Sequence, residues 1–178
     1  MSADRDLDDL AETFRRAARG WTTGVAVLTA RRGEEVFAKT VSSLCTLSLR
    51  PLLISVAVDR RSPLVAAVRS SHRYAVSVLT HDQEPLARHF AQPGAGRAIG
   101  YFASAPMRAR TTGAPVLDDC LAWFDCTLHS VLPGGDHALL VGRVAAADGG
   151  PGEPLLYHDA RYRLLDHQPT STSSGVRA

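Results

Sequence analysis

Between positions 39 and 49 the chain reads KTVSSLCTLSL, and Thr40, Ser42, Ser43, Thr46 and Ser48 all carry hydroxyls. Short donors and acceptors this dense, at the end of a strand and in the turn after it, suit the polar edge of a planar heterocycle. The same side chains also satisfy their own backbone in turns, and the sequence leaves both uses open. Further on, Asp59-Arg60-Arg61-Ser62-Pro63 leads into the apolar run LVAAVRS. A helix that begins at Ser62-Pro63 points free N–H groups at whatever lies before it, and Arg60 and Arg61 add positive charge there. That is phosphate-binding chemistry, and it is equally an ordinary cap beside two surface arginines. His137 follows Pro133-Gly134-Gly135-Asp136, a tight turn, and opens a strand. Its imidazole either faces a ligand at the mouth of a barrel or stands in solvent at a turn.

Other chemistries find little support. GAGRAIG places glycines at Gly94, Gly96 and Gly100, but it follows a helix and a proline and leads into YFASAP, the wrong setting for a dinucleotide fingerprint. The seven histidines include no HxH or HExxH pair, which argues against a metal site. Cys45, Cys120 and Cys126 are odd in number and lack CxxC spacing, so buried thiols are expected rather than a disulfide framework or a zinc site. No GxSxG elbow or paired-carboxylate signal stands out.

These residues need a scaffold, and the patterning describes one. With 178 residues, 45% hydrophobic and 21% charged, the chain suits a single domain with a substantial core. A net charge of +2 without long basic runs speaks against nucleic-acid binding. No apolar segment is long enough for a membrane span, and the acidic start MSADRDLDDL is unlike a signal peptide, so a cytoplasmic protein is expected. A helix is predicted over 6–19 from the stripe Leu7, Leu10, Ala11, Phe14 and Ala18. Asp6, Asp8 and Asp9 stand at its start, Arg15, Arg16 and Arg19 at its end, and Gly20 stops it. Strands follow at 24–30, 36–41, 52–58, 74–79, 121–131, 137–147 and 162–166. Two short helices interrupt them, one from Ser62-Pro63 and one from near Asp82 with Leu86, Ala87 and Phe90 facing inward. Residues 92–114 read as a long loop, and the tail from Gln168 as disordered. Seven strands with few helices between them predict an antiparallel barrel: mainly β with flanking helices.

Taken in order, six blocks resemble the flavin reductase-like, FMN-binding split-barrel family. They are FRRAARGWTTGVAVLTA, KTVSSLCTLSLRPLLISVAVDRRSP, SVLTHDQEPLARHFA, GAPVLDDCLAWFDCTL, GGDHALLVGRV and PLLYHDARYRLL. The resemblance spans roughly residues 10–166. It implies a flexible N-terminus over 1–9, a split-barrel domain over 10–167 and a disordered tail over 168–178. It also implies a homodimeric NAD(P)H:flavin oxidoreductase that passes hydride from NADH or NADPH to FMN, or to FAD. The reduced flavin would serve a partner monooxygenase. Such chemistry is carried by the cofactor and needs no acid–base constellation from the protein.

Carried over by position, Thr40, Val41, Ser42 and Ser43 match the segment that contacts the isoalloxazine edge and ribityl chain, with Cys45 beside it. Arg60, Arg61 and Ser62 match the phosphate segment, and Phe90 the position that closes over the flavin. His137 matches the histidine on the nicotinamide side. Tyr162 and Arg163 match a pair near the pocket, often reached from the neighbouring subunit. Lys39, Ser42, Arg50-Pro51-Leu52 and Ala98 depart from the usual glycine, asparagine, Asp-Pro-Pro and phenylalanine, which bears on the substrate side of the pocket. Two alternatives follow from the same residues: a flavoprotein that retains its flavin and acts on another substrate, and a non-catalytic flavin-binding module.

Overall fold

A computed structural model describes the backbone of residues 2–92 and 106–165, and side chains from Leu7 onward within those spans. The expectations for the Asp6 side chain, the GAGRAIG glycines, Ala98 and the tail from Gln168 lie outside the described residues. Helix α1 spans Ser2–Arg19, beginning four residues before the predicted start. Its stripe is the surprise. Leu7, Leu10 and Phe14 are each more than 60% exposed, and Trp21 just beyond is 76% exposed. Nothing among the described residues covers this face.

The strands are β1 (Thr23–Gly24), β2 (Ala26–Arg32), β3 (Glu35–Val41), β4 (Cys45–Leu49), β5 (Leu52–Asp59), β6 (Arg73–Val78), β7 (Met107–Ala109), β8 (Pro115–Leu117), β9 (Ala122–Gly134), β10 (His137–Gly149), β11 (Leu156–His158) and β12 (Arg161–Arg163). Seven of them form one antiparallel sheet in the order β3-β2-β6-β9-β10-β5-β4. The sheet curls without closing. Phe37 and Val41 from one end share a core with Ile54, Val56 and Val58 from near the other. Helix α2 (Pro63–Ser71) enters that core with Leu64, Val65, Ala67 and Val68. The result is the antiparallel barrel expected from the strand pattern, in the split form that the family resemblance implied.

Strand β2 lies next to the sheet edge yet is buried on both faces, which explains its unbroken apolar run. Ala26, Leu28 and Ala30 face the barrel interior, whereas Val27, with Val25 just before the strand, belongs to a second core. That core is capped by α3 (Glu84–Ala91), whose Ala87 and Phe90 are buried and whose Leu86 is partly so. A 3₁₀ turn, His81–Gln83, precedes α3. There Thr80 and Gln83 form a reciprocal capping box.

The predicted long loop is not wholly irregular, because β7 and β8 pair as a small hairpin. Three buried polar side chains on neighbouring strands hold it. Thr29 Oγ1 donates to the Pro115 carbonyl, and Ser77 Oγ accepts the Leu117 N–H at 3.1 Å. Asp125 accepts from both the Thr112 N–H, at 2.7 Å, and the Thr112 hydroxyl. Buried polar groups without such partners would each cost about 1–3 kcal/mol, so the three strands and the hairpin must form together.

Candidate flavin and nicotinamide site

The β3–β4 turn and the β1–β2 segment enclose a groove of about 500 Å³. Ser42, Cys45 and Thr46 line one side, Thr23-Gly24-Val25 another, and Trp21, Leu44 and Phe124 supply apolar walls. A smaller cavity of about 200 Å³ adjoins it, sharing Val25 and Ser42 and adding Thr40, Val41, Tyr157 and Tyr162. The structure thus brings Thr40, Val41, Ser42, Cys45 and Tyr162 together.

Their hydroxyls do different work. Thr40 Oγ1 donates to the Ala87 carbonyl at 2.7 Å and ties β3 to α3. Ser43 Oγ donates to the Ala57 carbonyl at 2.8 Å and accepts the Ala57 N–H at 3.1 Å. Where β4 stops pairing, this one side chain replaces a strand neighbour along β5. Ser48 Oγ accepts the Arg50 N–H at 3.2 Å. Ser42 and Thr46 line the larger groove, and no hydrogen bond to either hydroxyl is found among the described residues. The hydroxyl-rich stretch thus divides: Thr40, Ser43 and Ser48 satisfy backbone groups, whereas Ser42 and Thr46 line the groove.

A second group of the expected residues lies further along β5. Ala57 and Asp59 are about 7 Å apart on an extended strand, so Ser43 and the end of β5 are neighbours. His137 opens β10 after the tight Gly135-Asp136 turn and sits opposite Asp59 and Gly134 in register. Its Nδ1 lies 2.7 Å from Asp136 Oδ1, and the side chain is 47% exposed. The histidine holds the Asp136 carboxyl below its usual range. The Arg60 N–H donates to the Asp136 carbonyl at 3.0 Å, stitching the β5 end to the β9–β10 turn. Ser62 occupies the N-cap of α2 with Pro63 following, but its hydroxyl makes no capping bond. That oxygen is left for something else.

Three further expected site residues lie outside the linings of the groove and the smaller cavity. Arg61 does not project freely: its guanidinium grips Asp59, Nε to Oδ1 at 3.3 Å and Nη2 to Oδ2 at 3.1 Å. This clamp, with the Arg61 N–H, lowers the Asp59 pKa to about 2. Phe90 is 1% exposed and fills the second core, because α3 must bury its apolar face to hold β3. It supports the site wall from beneath and does not reach over the groove. Arg163 is exposed on β12, beside the smaller cavity that Tyr162 lines. Tyr162 itself lies under the Arg88 guanidinium at 4.9 Å and edge-on to Tyr157 at 5.6 Å, and burial raises its hydroxyl pKa.

Thr46, Trp21 and Phe124 are groove residues that the sequence reading did not assign to the site. Thr46 stood within the hydroxyl cluster and so carried a signal. Trp21 and Phe124 come from segments that only the curling of the sheet brings together.

The donor set fits a flavin. Free hydroxyls and apolar walls suit a planar ring, while Arg60 and the unbonded Ser62 hydroxyl at a helix start suit a phosphate. Among the described residues no group of three or more His, Cys, Asp or Glu could hold a metal ion.

An open antiparallel barrel with a ring-sized groove beside a cationic helix start defines a nucleotide-cofactor binding protein. Comparison with known proteins makes this specific. The flavin reductase like domain matches residues 18–166, and the chain belongs to that family. It is 35% identical over 158 residues to the reductase component of 4-hydroxyphenylacetate 3-monooxygenase from Thermus thermophilus, covering 88% of this chain and 97% of that one. It is 35% identical to an NADH-dependent FMN reductase of Streptomyces nodosus subsp. asukaensis, covering 91% and 89%. An NADPH-flavin oxidoreductase of Streptomyces viridifaciens is 37% identical, covering 89% and 90%. Among solved structures, the flavin reductase component of a bacterial two-component tryptophan halogenase superposes with a TM-score of 0.81. It is 31% identical, covering 89% of this chain and 99% of that chain.

Proposed function

We propose that the protein is an NAD(P)H:flavin oxidoreductase that reduces FMN, or FAD, and supplies reduced flavin to a partner monooxygenase. The observation that carries this is the groove in which Ser42 and Thr46 present unbonded hydroxyls, tied through Ser43 to Ala57 on β5, the strand that ends opposite His137 and runs on into Arg60 and Ser62. A bound flavin would supply the hydride-accepting ring; the protein binds, orients and charges its surroundings.

Each residue has a definable task. Ser42 and Thr46 offer donors and acceptors to the ring edge, and Trp21 and Phe124 exclude water from the groove walls. Arg60, Ser62 and the start of α2 hold a phosphate. His137 is oriented through Nδ1 by Asp136, leaving Nε2 without a partner among the described residues. On this reading that nitrogen positions the nicotinamide or stabilises developing negative charge.

The protein is further proposed to be a cytoplasmic homodimer. The bare apolar face of α1 supports the dimer. No helix among the described residues is long and apolar enough to cross a membrane.

The test is steady-state oxidation of NADH and of NADPH by purified protein, with and without added FMN or FAD. Oxidation that rises and saturates with free flavin is the expected result. Folded protein that oxidises neither nucleotide with either flavin would refute the proposal.

A further inference from the structure

The Arg61–Asp59 clamp occupies the donors that a phosphate would use. Nε and Nη2 each meet one oxygen of the Asp59 carboxylate, the same two-point geometry by which a guanidinium grips a phosphate. Asp136 acts on Arg61 as a second nearby carboxylate. Arg60 and the Ser62 hydroxyl carry no such commitment. A phosphate at the start of α2 therefore meets Arg60 and Ser62 directly, but it gains Arg61 only by displacing a carboxylate.

We propose that Asp59 tunes the affinity for phosphate-bearing flavins by competing with their phosphate for the Arg61 guanidinium. The proposal rests on the reading of the β5–α2 turn as the flavin phosphate subsite. Arg61 is 84% exposed and Asp59 37% exposed, so the clamp stands in solvent and exchanges readily. Exposed ion pairs of this kind shift an equilibrium by at most about fivefold. The competition is thus a trim on affinity and not a block. That suits a flavin that must leave after reduction.

The turn also provides a clean variant. Asp59 Oδ1 accepts the Arg61 N–H at 2.8 Å, and the Asp59 carbonyl accepts the Ser62 N–H at 2.9 Å. Asparagine makes the same Asx-turn bond without the charge. Asp59→Asn therefore removes the competitor and keeps the turn.

The experiment is a fluorescence titration of FMN and of riboflavin, which lacks the phosphate, into wild-type protein, Asp59→Asn, Arg61→Met and the double variant. No nicotinamide is present. Asp59→Asn is expected to bind FMN two- to fivefold more tightly with riboflavin unchanged. Arg61→Met should weaken FMN alone, and the gain from Asp59→Asn should be smaller in its background. The proposal is overturned if Asp59→Asn leaves FMN unchanged or weaker, shifts riboflavin equally, or if Arg61→Met binds FMN like the wild type. A protein with the expected binding pattern that oxidises no NAD(P)H would sink the reductase reading and leave the Asp59 proposal intact.

Discussion

Pairing through Nδ1 limits what His137 can offer to Nε2, and this makes its role separable from binding. The imidazole is half-exposed at a strand start, apart from the Ser42–Thr46 groove that would hold the ring. His137→Ala should therefore lower turnover roughly tenfold or more, less than the ~10²–10³ lost with a fully desolvated donor. Flavin affinity, read by titration, should change little. Loss of flavin binding with normal turnover per bound flavin would remove His137 from this role. The thiols give a second residue-scale prediction. Cys126 is buried and its pKa is pushed up to about 12 by burial and by Asp125, and burial also raises Cys120. Cys45 is exposed beside the groove. A disulfide reagent at mild pH should modify one thiol rapidly, Cys45→Ser should abolish that phase, and denaturant should release all three in the wild type. Two rapid phases in native protein would contradict either the burial of Cys126 or the protection of the partly buried Cys120. At this scale the sequence was informative about residue type and position but not about commitment. Ser42 and Ser43 are adjacent and chemically identical, yet one lines the groove and the other locks β5. That difference is made by Ala57, fourteen residues away.

Elements in this fold are placed by close approaches that only a few residues permit, and Gly142 marks one. It lies where β10 shifts register against β9, facing the Tyr74 ring in the barrel core. A Cβ there would meet Tyr74 Cζ at 2.7 Å and Cys126 Cβ at 2.9 Å, with the Tyr74 hydroxyl nearer still. Gly142→Ala should cost about 1–3 kcal/mol by overpacking. Urea unfolding would measure it, and a companion Tyr74→Phe change, which removes the nearest atom, should restore part of the loss. An unchanged midpoint in Gly142→Ala would show that the β9–β10 irregularity absorbs the methyl. The same dependence on distant partners explains which elements could be read in the chain. β2, β5 and β6 were legible because β-branched runs bounded by turns announce buried strands, and α2 because Ser62-Pro63 announces a helix start. β4, β7, β8 and β11 were missed. Each has five residues or fewer. β8 is held by Thr29, Ser77 and the Thr112–Asp125 pair, contacts that no local window contains. β9 and β10 outran their expected ends because a long two-stranded ribbon stays paired after its apolar pattern fades.

The molecule as a whole leaves apolar surface that a solitary chain has no reason to expose. Leu7, Leu10 and Phe14 recur at helical spacing on α1 and are 64%, 64% and 70% exposed. Strand β4 is an edge of the sheet, and Leu49 there is 82% exposed with Leu52 beside it on β5 at 51%. Scattered exposed leucines need no explanation, but a periodic stripe and an unpaired apolar edge do. A second copy is the occupant proposed here, which predicts a sedimenting species of about 38 kDa, twice the 19.1 kDa chain. Trp21 stands at the end of the α1 stripe and reports on its cover. Substituting Phe14 or Leu49 by lysine places a charge on one face or the other, and at least one variant should sediment as a monomer. If the α1 face is the interface, Phe14→Lys should also shift Trp21 emission to the red, whereas Leu49→Lys should leave it in place. A wild type at 19 kDa across micromolar concentrations would refute the dimer. It would also mean that the groove between β1 and the β3–β4 turn is complete within one chain.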